Sequence, residues 1–159
     1  MIIFRKPLSA YVAFARLFLV LVPLMGITRL LLSLNAVPDH TARWFSMTAL
    51  GMIGIVYFAI RMHSSGFGSY KQLLVVCTLQ NLTAQAVSIT GIILAIETNT
   101  NNIFSVPEFA FGADGKTWFH VGQHLVLGTT AGSIVAWLTG SLILFATTKL
   151  VGNSGRSDS

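Results

Sequence analysis

The sequence predicts an all-α polytopic membrane protein: an antiparallel bundle of four transmembrane helices with a long outer loop between helices 3 and 4. Three observations carry this. Only 9% of the 159 residues are charged while 53% are hydrophobic, and the mean hydropathy is +0.73. A soluble domain carries about 25% charged residues, and so few charges cannot coat a water-facing surface. The apolar residues also fall into four long runs, at about 8–34, 44–62, 70–96 and 119–150. Finally, the ten Lys and Arg residues lie at the ends of these runs instead of forming a basic patch, so the net charge of +5 reads as an orientation signal and not as a nucleic-acid interface. The length allows a single transmembrane domain spanning 1–159.

The first run follows Arg5 and Lys6, as a signal peptide would, but it is long and carries Arg29 near its end. It reads as a retained helix, with a kink expected at Pro23. Arg16 and Arg29 are thirteen residues apart, which is roughly 20 Å along a helix. Each can therefore snorkel toward an opposite edge of a hydrocarbon core about 30 Å thick. The loop Asn35–Arg43 holds Pro38, Asp39 and His40 and is short, so the first two helices should be antiparallel neighbours. Trp44 suits an interfacial anchor at the start of the second run. Gly51 and Gly54 offer a close-contact spot within it. Ser64–Ser69 is a turn-rich linker.

The third run is apolar except for Gln80, Asn81, Thr83 and Gln85, with Ser88 one turn on. Amides at membrane depth need partners, because lipid supplies none. They either bond between helices or line a polar cavity. Cys77 is the one cysteine. It cannot form an internal disulfide or a redox pair and reads as a small buried hydrophobe.

The outer segment 98–118 begins with a polar, low-complexity stretch, Thr98–Asn102. It continues through four aromatic residues, Phe104, Phe109, Phe111 and Trp118, and a tight-turn pair, Asp114-Gly115. A loop of this length is often a lid. Its aromatic content predicts a flap lying on the membrane or the helix ends. The tail 152–159 is polar and expected to be disordered.

The fourth run carries the most distinctive pattern. Every fourth residue reads His120, His124, Gly128, Gly132, Ala136, Gly140. Small residues at this spacing let another helix approach closely inside a membrane. The two imidazoles fall on one helix face just under the flap. They could bind a divalent metal with His40 or a carboxylate such as Glu97 as a further ligand. A haem would instead need one of them plus a histidine from another helix end, because two histidines four apart cannot bind opposite haem faces. The plain alternative is a hydrogen bond to the flap. Val121 follows His120, so the zinc-protease pattern is absent.

Charge sets the orientation. Arg5, Lys6, Arg61, Lys71, Lys149 and Arg156 fall on one side, against Arg43 and Lys116 on the other. The positive-inside rule then places both termini in the cytoplasm of a cell-membrane protein and the flap outside. No phosphate loop, nucleophile triad or chain of ionisable residues at depth is present, which disfavours a conventional transporter or pump. Three functions remain: an accessory or binding subunit, alone as a homo-oligomer or within a larger membrane complex; a metal- or haem-dependent enzyme or electron carrier; and a protein that binds lipid or a small hydrophobe.

Overall fold

The computed structural model describes residues 1–35, 37–42, 44–106 and 114–154, without the side chains of Asp39, His40 and residues 152–154. The described chain is mostly helical and carries one small hairpin at its start. Its elements are β1 (Ile2–Ile3), β2 (Lys6–Pro7), α1 (Leu8–Leu34), α2 (Asp39–Ala42), α3 (Met47–Ser65), α4 (Tyr70–Thr98), α5 (Trp118–Gln123), a π-helical turn (His124–Gly128) and α6 (Thr129–Ser154). Four helical runs are long and apolar enough to cross a membrane: α1, α3, α4 and the continuous stretch Trp118–Val151.

Several boundaries differ from the sequence expectation for local reasons. α3 starts at Met47 and not at Trp44, because the Ser46 side chain accepts the Ala49 N–H at 3.2 Å and caps the first turn. It ends at Gly66, whose φ of 60° closes the last turn in the left-handed region. A capping box between Ser69 and Gln72 starts α4. Helix α6 continues to Ser154, so the start of the expected tail is helical; residues 155–159 lie outside the described chain. α1 runs unbroken through Pro23. The hairpin β1–β2 was not anticipated. The Tyr11 hydroxyl donates to Ile3 O at 2.8 Å, and Gln72 Nε2 donates to Phe4 O at 3.0 Å, tying the hairpin to α1 and α4.

α1 packs against α3 and α4, α6 packs against α3 and α4, and α3 and α4 also touch each other. The α4–α6 contact is antiparallel and follows a strict register. Gly128 faces Gln85, Gly132 faces Asn81, and Gly140 faces Leu73. α3 runs alongside α6 in the same direction, with Ile55 near Gly140 and His63 Nδ1 3.4 Å from the Thr148 hydroxyl.

Two apolar cores result. The larger contains Tyr11, Phe14, Phe18, Phe58, Met62, Leu73 and Val76. Arg61 reaches into its rim, donating to Phe14 O at 3.1 Å and to the Tyr57 hydroxyl at 2.9 Å. Its guanidinium lies 4.8 Å from the Phe14 ring centroid, so its charge is held by a carbonyl, a hydroxyl and a π-face. The smaller core contains Val22, Met47, Ile92, Ile103 and Phe104. It closes the opposite end of the helices.

Candidate functional site

Between the two cores lies a cavity of about 390 Å³. All four long helices line it: Val22 and Arg29 from α1; Met47, Thr48, Gly51, Met52 and Ile55 from α3; a row on α4 from Cys77 to Ser88; and His124, Gly132, Val135, Ala136 and Thr139 from the fourth run. Pockets of several hundred Å³ are of ligand size.

The polar wall is built on α4. Asn81 Nδ2 donates to Gly128 O at 3.0 Å, to Thr129 O at 3.0 Å and to Ser133 Oγ at 3.1 Å. The next amide along the face, Gln85, donates from Nε2 to Asn81 Oδ1 at 3.3 Å, and its Oε1 lies 2.7 Å from His124 Nδ1. Gln80 Nε2 donates across to Gly51 O at 2.9 Å. Thr83 departs from the expected cluster: its hydroxyl turns back onto Gln80 O of its own helix at 2.7 Å.

These bonds have a direction. Carbonyl oxygens only accept, so the Asn81 NH₂ must face Gly128 and Thr129. That turns Asn81 Oδ1 toward the Gln85 NH₂, and Gln85 Oε1 toward His124. Nδ1 of His124 is therefore the protonated nitrogen, and in the neutral ring Nε2 carries the lone pair. A relay of two amides thus assigns the imidazole tautomer, as outer partners do around functional histidines.

The π-helical turn explains why Asn81 finds two carbonyls. A single π turn inserts one residue and breaks the regular i to i−4 ladder. The hydroxyl of Thr129 bonds Leu125 O, that of Thr130 bonds Val126 O at 2.5 Å, and Asn81 takes the carbonyls of Gly128 and Thr129. The small-residue ridge serves the same end. A Cβ on Gly128 would fall 2.7 Å from Gln85 Oε1, and one on Gly132 would fall 2.9 Å from Asn81 Nδ2. The ridge seats amide side chains rather than a bare helix backbone. Ala136 continues it along the cavity wall, and Gly140 continues it against Leu73 and Ile55.

His120 sits differently from His124. It is 1% exposed, and its Nδ1 donates to Gly115 O at 2.9 Å. Its backbone N–H is capped by the Thr117 hydroxyl at 3.2 Å. The two rings are adjacent, with centroids 4.9 Å apart and planes at 52°. His120 Nε2 is enclosed without a hydrogen-bond partner among the described residues. Glu97 lies exposed at the end of α4. The His40 side chain, like Glu108 and Arg43, is outside the described residues. Among the described residues no three His, Cys, Asp or Glu side chains gather into a metal-ligand set, and the structure does not support the expected metal site.

The described residues that follow α4 are more buried than their composition suggested. Asn102, the last residue of the polar, low-complexity stretch, is 2% exposed. Its Nδ2 donates to Gly91 O at 2.7 Å, and its Oδ1 accepts the Phe104 N–H at 2.9 Å. Phe104 is thereby laid into the notch left by Gly91. From the other end of the segment, Lys116 Nζ donates to Asn99 Oδ1 at 3.1 Å, and Asp114 Oδ1 accepts the Lys116 N–H at 3.0 Å. The hairpin expected around Asp114-Gly115 rests partly on residues 107–113, which are outside the described chain.

Arg29 is half-buried and faces the cavity, whereas Arg16 is exposed on the outside of α1. The structure thus offers a second candidate site, lined by all four long helices. It is the space between the amide row, Arg29 and His124; the expected site beneath the flap adjoins residues 107–113, which lie outside the described residues. Scans against protein-family models, curated proteins and solved structures find no match to this chain.

Proposed function

We propose that the chain is an integral membrane binding protein that holds a small amphipathic molecule in the cavity between its helices. It spans the cell membrane as an antiparallel four-helix bundle, with both termini cytoplasmic and the 99–117 segment outside. The observation that carries this reading is the cavity itself, with its division of character. One end presents Arg29, Gln85 and His124, and the rest is walled by Val22, Met47, Met52, Ile55, Ala84, Val135 and Ala136. Such a division suits a molecule with a polar head and an apolar body. The amide relay fixes the head-group end rigidly, which lowers the entropic cost of binding.

Native mass spectrometry of the chain, released from gently solubilised membranes, tests this reading. Wild type carries a small-molecule adduct. An Ala84→Phe variant, which fills the cavity, loses it while remaining helical. A chain that emerges bare from native membranes in both forms contradicts the proposal.

A further inference from the structure

The N-terminal hairpin is built on an unfavourable turn. β1 and β2 pair Ile3 with Lys6 and Ile2 with Pro7, leaving Phe4 and Arg5 as a two-residue loop. Both loop residues take positive φ, 43° at Phe4 and 69° at Arg5. Asparagine and glycine normally fill such a turn, because a larger side chain crowds its own backbone there. Three bonds hold the strained form in place. The Leu8 N–H donates to Met1 O at 3.1 Å, the Tyr11 hydroxyl to Ile3 O, and Gln72 Nε2 to Phe4 O. Backbone strain enforced by its surroundings is a reason to ask what the segment presents.

The turn presents a mixed surface. Met1, Ile2 and Phe4 are 84%, 77% and 43% exposed, and Arg5 is exposed beside them. Lys6 folds inward, with its Nζ 4.6 Å from the Phe67 ring centroid. Lys71, next to the Gln72 that holds Phe4 O, is exposed as well. Among the described residues no Asp or Glu side chain stands at this end of the bundle. Glu97 closes the far end of α4, and Asp114 joins that end through Lys116 and Asn99.

Helix length sets the level of the hairpin. α1 has 27 residues and α4 has 29, and the hairpin is bonded to the start of both. At 1.5 Å per residue each is about 40 Å long, against a hydrocarbon core of about 30 Å. The excess is roughly 5 Å at each end, which puts the hairpin in the headgroup layer.

Resting on the membrane-spanning part of the reading above and not on the cavity, we propose that the hairpin is an anchor for anionic lipid. Ile2 and Phe4 dip into the acyl region of the near leaflet, while Arg5 and Lys71 engage the phosphate of an anionic headgroup. The interleaving of cations with bare apolar side chains selects a lipid. A soluble anion would satisfy the charges and leave Ile2 and Phe4 in water. A zwitterionic headgroup brings its own cation and gains less from Arg5 and Lys71.

The test places the full-length chain in nanodiscs of phosphatidylcholine and phosphatidylglycerol with the same acyl chains. Native mass spectrometry then counts the lipids retained on release. Wild type should keep phosphatidylglycerol in excess of its share. Arg5→Gln or Lys71→Gln should lower that preference about fivefold, and the double variant about thirtyfold. Lys116→Gln removes a cation from the opposite end of the bundle and should leave it unchanged. An undiminished preference in the double variant overturns the anchor, and so does an equal loss in Lys116→Gln, which would report net charge alone. Depth is read separately, from the Ile2 methyl signal identified by its loss in Ile2→Val. A lipid with a nitroxide near its headgroup should broaden this signal, and a water-soluble gadolinium chelate should not. Broadening by the chelate alone puts the hairpin in water and overturns the anchor. Neither outcome touches the cavity, whose adduct in wild type and loss in Ala84→Phe are read independently.

Discussion

His124 Nδ1 lies 2.7 Å from Gln85 Oε1 across the α4 to π-turn contact, and the orientation of that amide is dictated two residues away by backbone carbonyls. The ring nitrogen that bears the proton is thus set by the helix that faces it. Gln85→Glu replaces an amide acceptor by a carboxylate at the same position. It should retain the His124 contact but lose the donation to Asn81 Oδ1. The expected result is a shift of the His124 imidazole nitrogen resonances with the fold retained. Unchanged nitrogen resonances would show that Gln85 does not govern the ring.

Asn81 is the keystone of the relay, so Asn81→Ala should cost more than an ordinary interhelical bond. Three acceptors and the Gln85 donor lose their partner. Interhelical hydrogen bonds in membranes average about 0.6 kcal/mol, with a maximum near 1.7. We expect about 1–2 kcal/mol, measured by reversible unfolding in mixed micelles. A loss within error of zero would mean that the carbonyls freed by the π turn find other partners.

Gly132→Leu should be more damaging than Gly132→Ala. Even a Cβ at Gly132 meets the Asn81 amide at 2.9–3.2 Å, and a leucine would expel that amide from its notch. Overpacking of this kind costs about 1–3 kcal/mol, to which the broken relay adds. A thermal-shift series across Gly132→Ala and Gly132→Leu reads the order. Equal melting temperatures would show that α6 does not seat α4 through this position.

These two predictions come from features that the sequence displayed separately. The ridge Gly128/Gly132/Ala136/Gly140 and the polar row Gln80/Asn81/Gln85 were each visible by spacing. Their mutual fit was not, because it needs the antiparallel register that sets residue 81 opposite 132 and 85 opposite 128. The π turn was hidden for a related reason: a four-residue repeat of His and Gly looks the same whether or not one turn is widened. The burial of Asn102 is not legible in its polar stretch because its partner is the Gly91 carbonyl, eleven residues earlier. The cavity is walled by residues from all four long helices, and no local pattern encodes a gap among them. Arg29 was legible as an unusual charge on an apolar run; its position on the cavity wall was not.

Asn102→Ala tests whether the residues that follow α4 are held as the structure shows. The substitution leaves Gly91 O and the Phe104 N–H without their partners in a buried setting. A buried unsatisfied group costs about 1–3 kcal/mol. Hydrogen exchange at residues 99–106 should accelerate by roughly tenfold or more for such a loss, while the centre of α4 stays protected. Equal exchange in both proteins would show that the segment is secured elsewhere.

The central claim is that a ligand occupies the space between the helices, and the methionine side chains report on it directly. Met47 and Met52 line the cavity, whereas Met62 is fully buried in the other core. With isotope-labelled methionine methyl groups in nanodiscs of synthetic lipid, adding the small-molecule extract of the native membrane should shift the Met47 and Met52 signals, leave Met62 in place, and lose this effect in Ala84→Phe. If the Met47 and Met52 signals stay where they are, or if all the methionines move together, nothing enters the cavity and the account fails.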